Sequence, residues 1–428
     1  MDRVFVFACL LRKALPAGHF AATEIAKTLF LEMDFGASAL MEKIIITARL
    51  SMHTVVLAWL LAAVLLACSM NNRPFSKNKR PPEILQSSWK AYVDRFIQKD
   101  GRVIDYGKNN ISTSEGQAYA MLRAVWIQDR EIFDKSYIWA RNNLNAGYRN
   151  DHLWAWKWGK DTHGKWGVLD QAFASDADQD AVLALIMASK TWREEKYLDQ
   201  ARAILADLWN LGTLQIGGRR YLLAGDSLCQ GRLCKLNPSY YAPYAYRIFT
   251  KVDPSHNWME LVDTSYFLLE AVSSQTETHL PTDWIHLNTS SGQVNLLGEK
   301  DSVFSYDAFR VYWRIALDKE LFQDPRAENY LSRSLTWITR EWEKKGKLPA
   351  VISRNGKSLA EYESLEMLAG LMPALQTVKA NIAAAMNQKL QSTFQQGNWA
   401  DKNSYYLQNW AWFGTALYQK YVTPFELL

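Results

Sequence analysis

From Ile84 onward, apolar residues recur at the three- and four-residue spacing of amphipathic helices in segment after segment, while alternating strand-like runs are scarce. This periodicity predicts helices over 84–98, 114–127, 129–145, 175–191, 195–210, 239–250, 256–274, 307–319, 323–344, 358–371, 375–391 and 404–420, twelve in all. One exception is Leu214–Ala224, where Gly217-Gly218 separates two short β-prone runs and predicts a hairpin. No Pro/Gly/Ser-rich linker divides 82–428, so this stretch is expected to form one domain. Twelve helices in one domain predict an all-α fold of six helical hairpins in a ring, an (α/α)6 barrel with the β-hairpin as a small insertion. The ends of the inner helices and their loops would then frame an open cleft.

Charge narrows the partners. The 49 basic and 44 acidic residues are evenly spread for a net charge of +5, without the Lys/Arg stripe of a nucleic-acid binder, so no nucleic-acid partner is expected. The 18 Trp and 20 Tyr are more informative, because aromatic faces stack on sugar rings and other flat or apolar ligands. Most of them are nonetheless expected in the core.

The N-terminal region reads as an export segment. Thr54–Ala67 is an uncharged apolar run preceded by Lys43, Arg49 and His53 and followed by a polar stretch, the order of a secretory signal. At about 14 residues it falls short of the roughly 20 needed to span a bilayer. Leu65-Leu66-Ala67-Cys68 resembles a lipoprotein box, which leaves two outcomes: a lipidated Cys68 that tethers the protein to a membrane, or ordinary signal cleavage. Met41 and Met52 stand just upstream as alternative starts, against a genuine N-terminal extension. Residues 1–68 are thus expected to be extension and signal, 69–81 a linker, and the protein periplasmic or secreted. Cys229 and Cys234 bracket a short polar turn where a disulfide is permitted after export, and too few further ligands stand nearby for zinc.

Three acidic groups mark helix starts. Ser112 and Glu115 have the S-x-x-E order of a capping box, so Glu115 is either a cap or, at a helix end opening on a cleft, a proton donor. Asp176, Asp178 and Asp180 follow Ser175, where Ser175 and Asp176 could cap a helix and acids suit the positive end of its dipole. A calcium loop is ruled out there, because Ala181 and Met187 occupy the positions that need Gly and Glu. Asp307 and Arg310, three apart, form either a local ion pair or a carboxylate kept ionised to activate water. Glycosidic cleavage needs one protonated carboxyl for the leaving oxygen and one ionised carboxyl on the anomeric side, and three acids at helix starts could supply them.

The blocks Thr113-Ser-Glu-Gly-Gln-Ala-Tyr-Ala-Met121, Ala174-Ser-Asp-Ala-Asp178, Leu236-Asn-Pro-Ser-Tyr240, Tyr306-Asp-Ala-Phe-Arg-Val-Tyr-Trp-Arg314 and Tyr405-Tyr-Leu-Gln-Asn409 together resemble family 8 of the glycoside hydrolases over about 82–425. The resemblance implies that Glu115 is the general acid. It implies that Asp307 is the general base of an inverting reaction and that Asp176 holds the sugar ring, although Asp176 is the acid traditionally assigned as nucleophile. Trp156 is implied as a sugar-stacking platform, with Tyr240, Arg310 and Tyr406 supporting Asp307 or the water. Two positions depart from the family pattern, Ala181-Val182 and Tyr312, and both look like packing positions.

The implied activity is an endo-β-1,4-glucanase acting on cellulose or cello-oligosaccharides without metal or other cofactor. The similarity extends to periplasmic endoglucanases that accompany bacterial cellulose synthases, which makes that machinery an expected partner of a monomeric enzyme. Chitosanase, lichenase and xylanase specificities occur in the same family. A non-catalytic polysaccharide-binding protein is the rival from another class.

Overall fold

The computed structural model describes residues 80–226 and 228–422. The signal-like run, Met41, Met52 and Cys68 lie outside the described residues. Thirteen α-helices stand within them: α1 (Glu83–Phe96), α2 (Ser114–Ile127), α3 (Arg130–Ala140), α4 (Ser175–Trp192), α5 (Glu195–Gly212), α6 (Pro243–Val252), α7 (Met259–Ser273), α8 (Phe309–Phe322), α9 (Pro325–Ser334), α10 (Thr336–Lys345), α11 (Leu365–Leu375), α12 (Ala380–Gln391) and α13 (Tyr405–Tyr418). The count exceeds the sequence expectation by one because the predicted helix over 323–344 breaks at Leu335 into α9 and α10. Ser334 Oγ donates back to the Tyr330 carbonyl at 2.8 Å, a competing bond that bends helices.

The helices form an (α/α)6 barrel. Helices α2, α4, α6, α8, α11 and α13 pack in sequence around the axis, and α2 meets α13 to close the ring. Each is followed outside by α3, α5, α7, the α9–α10 pair or α12, while α1 packs on α13 and completes the sixth pair from the other end of the described chain. Hydrophobicity sorts the two layers. Every residue of α4 from Ser175 to Ser189 is buried, the mark of an interior helix. In α5 burial is confined to a stripe of Tyr197, Leu198, Ala201, Ile204, Leu205, Leu208 and Gly212, with polar residues facing water. Close approach of α11 and α13 needs glycine: a Cβ on Gly414 would lie 2.2 Å from the Ala369 carbonyl oxygen.

Two buried ion-pair layers join α4 to α8. Arg314 holds Asp180 with both terminal nitrogens, at 3.1 and 3.0 Å, and one turn away Arg310 holds Asp176 at 3.0 Å. The i, i+4 spacing on both helices makes these parallel rungs. The seam between α2 and α13 is closed by the buried Arg123, which donates to Asn409 Oδ1 at 3.1 Å and lies 4.3 Å from the Tyr92 ring centroid.

Short antiparallel sheets fill the loops. They are β1 (Ser112–Thr113), β2 (Ala155–Lys160) and β3 (Trp166–Phe173); β4 (Thr213–Ile216) with β5 (Arg219–Leu222); β6 (Cys229–Gln230), β7 (Leu233–Leu236), β8 (Ile285–Asn288) and β9 (Val294–Leu296); β10 (Val303–Phe304) with β11 (Ile352–Ser353); and β12 (Phe394–Gln395) with β13 (Asn398–Trp399). Only β4–β5 is the hairpin expected from sequence, and Gly217 and Gly218 take φ of +56° and +79°, as its tight turn requires. Cys229 and Cys234 face each other across β6 and β7 and form a disulfide.

Candidate active site

The first acid is delivered by a strand-to-helix corner. Strand β1 runs into α2, whose N-cap is Thr113, its hydroxyl accepting from the Gly116 amide at 3.0 Å. Ser112 instead donates to the Val103 carbonyl and accepts from Arg102, so the capping box expected from Ser112 and Glu115 is replaced by a cap one residue later. Glu115, in the first turn and free of capping duty, turns its carboxylate to other partners. Tyr405 donates to Oε1 at 2.9 Å, and Arg310 and Tyr119 donate to Oε2 at 3.0 and 3.2 Å.

The second acid opens α4. Its N-cap is Ala174, with no side-chain cap, so neither Ser175 nor Asp176 fills the capping role considered from sequence. Asp176 accepts from its neighbour's amide, Ala177 N, at 2.9 Å and from Arg310 Nη1 at 3.0 Å. The third acid, Asp307, precedes α8 and accepts from Arg310 Nη2 at 2.5 Å. One guanidinium therefore holds all three carboxylates, with Glu115 and Asp176 on one nitrogen and Asp307 on the other.

Exposure separates the three acids. The side chains of Glu115 and Asp307 are 21% and 30% exposed, while Asp176 is 3% exposed, so the first two can reach a ligand more readily than the third. Three like charges around one cation favour retaining a proton in the cluster. Burial pushes Asp176 up to about 7 against the opposing pull of Arg310, and the charge of Glu115 adds to the rise. This carboxyl titrates near 3.8 when unperturbed, so the folded protein binds an extra proton between the two values, and the group's contribution to stability falls as pH rises from about 4 to 7. Asp176→Asn is expected to flatten the pH dependence of urea unfolding over that window. Equal slopes in variant and wild type would refute the assignment.

Tyrosines enclose the cluster. The Tyr240 ring lies 5.3 Å from the Arg310 guanidinium carbon, and Tyr406 donates to the Tyr306 carbonyl, one residue before Asp307, at 2.6 Å. Tyr406 thus meets the backbone beside Asp307 rather than its carboxylate. Trp156 is half-buried on β2, whose Lys157 pairs with Thr113 of β1, so its strand adjoins the corner that carries Glu115. No hydrogen bond joins Trp156 to the three acids among the described residues.

Several contributors escaped sequence reading. Tyr119 and Tyr405 bind Glu115 directly, and Tyr119 could have been found, lying four residues on along the same helix. Asp178, fully buried, accepts from the Trp154 amide at 3.0 Å and anchors the start of β2; burial pushes its carboxyl well above the usual range. Asp283 binds the turn that carries Asp307 and had no local signal at all. Among the described residues, no group of three or more His, Cys, Asp or Glu side chains is arranged to hold a metal ion.

A helical barrel that gathers carboxylates and tyrosines around one arginine defines the class of helical-barrel glycoside hydrolases. The sequence profile described as "Glycosyl hydrolases family 8" matches residues 54–398, and the chain belongs to that family. It is 33% identical over 259 residues to an endoglucanase of Pseudomonas fluorescens (strain SBW25), a match covering 59% of this chain and 64% of the relative. It is 32% identical over 249 residues to an endoglucanase of Escherichia coli (strain K12), covering 58% and 66%. The matches thus span slightly less than two thirds of these relatives. In three dimensions it is similar to the crystal structure of endo-1,4-D-glucanase from Vibrio fischeri ES114, with a TM-score of 0.69 and 26% identity, covering 78% of this chain and 94% of that one.

Proposed function

We propose that the protein is an endo-acting β-1,4-glucanase that cleaves cellulose chains with inversion. The observation that carries this reading is the shared guanidinium: Glu115 and Asp307 are the two more exposed acids and are held by different nitrogens of Arg310. An inverting pair must leave room for a water, with carboxyl groups roughly 6.5–9.5 Å apart. Two acids separated by a guanidinium suit that demand better than two acids in direct contact. The named endoglucanase relatives support the substrate class.

In this mechanism Glu115, once protonated, gives its proton to the glycosidic oxygen as the bond to the anomeric carbon breaks. Asp307 takes a proton from the water that attacks the opposite face. Asp176, buried and bonded to Arg310, holds the guanidinium and the sugar ring in place. Its proton, retained below about pH 7, lies across one arginine nitrogen from Glu115. Trp156 supplies a stacking face along the glucan, and Tyr240 and Tyr406 brace Arg310 and the Asp307 segment.

We further infer a monomeric enzyme with its catalytic domain at 82–428, exported by the 54–67 segment and working in the periplasm or outside the cell, with Cys68 as the point of any lipid tether. The Cys229–Cys234 disulfide supports an oxidising compartment. A place beside a cellulose synthase is part of the same proposal and rests on the resemblance of the sequence motifs alone. Among the described residues, no helix is long and apolar enough to cross a membrane.

Stereochemistry tests the mechanism. During hydrolysis of cellopentaose followed by proton NMR, the first anomer to appear is expected to be α. A β-anomer would move Asp176 or Asp307 into the role of nucleophile, and absence of any product would leave a sugar-binding protein.

A further inference from the structure

We propose that Asp283, outside the three acids, is the positioning residue that fixes Asp307 for proton abstraction; this rests on reading Asp307 as the base. Asp307 lies in the turn before α8, where no helix yet holds the backbone. The turn is clamped by one buried carboxylate. Asp283 Oδ1 accepts from the Ser305 amide at 2.9 Å and from the Ala308 amide at 2.8 Å, and the Ser305 hydroxyl donates to Oδ2. The bonds grip the chain two residues before Asp307 and one residue after it. Asp283 also donates its own amide to the Val303 carbonyl at 2.8 Å.

The clamp is rooted in the four-stranded sheet. Asp283 and Trp284 lead into β8, which pairs with β7 from Ile285 opposite Leu236. Strand β7 in turn leads to Tyr240, whose ring faces Arg310 and meets Trp284 edge-on at 6.0 Å. One sheet end therefore supports both Asp307, through Asp283, and its guanidinium partner, through Tyr240.

The clamp is also charged. Asp307 interacts with both Arg310 and Asp283, with the phenols of Tyr240 and Tyr406 near it and the carboxylates of Glu115 and Asp176 on the other nitrogen of the guanidinium. Burial, and next the charge of Asp307, push Asp283 up to about 6. Above that pH Asp283 carries a negative charge beside Asp307, a like-charge contact that a neutral side chain at 283 removes.

The test is kcat and KM for cellopentaose hydrolysis by the full chain carrying Asp283→Asn, Asp283→Ala or Asp307→Asn, with thermal unfolding of each. Asparagine keeps an acceptor for both amides, and its NH2 can donate to a reversed Ser305 hydroxyl, so the fold is retained while the charge is lost. Asp283→Asn, which keeps the clamp's shape, is expected to lower kcat about 5- to 20-fold with KM within about twofold. Asp283→Ala, which frees the turn, is expected to lose about 100-fold in kcat. An unchanged kcat in Asp283→Asn, a rise in KM that accounts for the loss, or a loss of kcat that merely tracks a lower unfolding temperature overturns the proposal. If Asp307→Asn is inactive while Asp283→Asn matches wild type, the base assignment stands and the positioning role alone fails. If Asp307→Asn keeps turnover, both fall.

Discussion

Glu115→Gln is expected to lower kcat on cellopentaose by about 10²- to 10⁴-fold with little change in KM, because it removes the proposed proton donor and leaves the site's shape intact. The amide fits the same contacts. Its oxygen can accept from Arg310 and Tyr119 as Glu115 Oε2 does, and its NH2 can donate to the Tyr405 hydroxyl that now donates to Oε1. The decisive comparison is an aryl β-cellobioside with a strongly acidic phenol as leaving group, which departs without protonation. Measured side by side, the variant is expected to retain most of its rate on that substrate and little on cellopentaose. Equal losses on both would show that Glu115 shapes the site instead of donating a proton.

The largest effect on stability is expected from Arg310→Met. This guanidinium is buried and holds three carboxylates, so its removal leaves them without their shared counter-charge. Breaking a buried ion pair by removing one partner costs about 3–5 kcal/mol. The deficit should depend on pH. Without the arginine, whose charge opposes the rise at Asp176, that carboxyl moves still higher, so the native state takes up protons relative to the unfolded chain and stability falls as pH rises. Urea unfolding at pH 5 and pH 8 is expected to show a larger deficit at pH 8, together with loss of turnover at both. A deficit under about 1 kcal/mol, or one independent of pH, would mean that the acids find other partners.

Several elements were legible before any fold was known. The outer helix α5 falls within two residues of its predicted span because its apolar stripe repeats every three to four residues, and the inner helix α4 differs from its prediction by one residue. Helix starts were legible to a lesser degree. The acids at α2 and α4 resembled caps, yet the caps are Thr113 and Ala174, because the chain enters each helix from a neighbouring segment that fixes where the first turn begins. The β2–β3 arm gave no period-two signal: Trp166–Phe173 is exposed or half-buried at seven of its eight residues, so no buried face imposes alternation.

The helices, the Gly217-Gly218 turn and the three helix-start acids were determined by the sequence itself, because helical periodicity and turn conformation depend on residues within about four positions of one another. The partners of those acids were decided by the tertiary structure alone. Arg310 reaches Glu115 across 195 residues and Asp176 across 134, and Tyr405 reaches Glu115 across 290. Only closure of the ring brings such groups within 3 Å of each other, and burial there is what raises Asp176 and makes one arginine the keystone of three carboxylates.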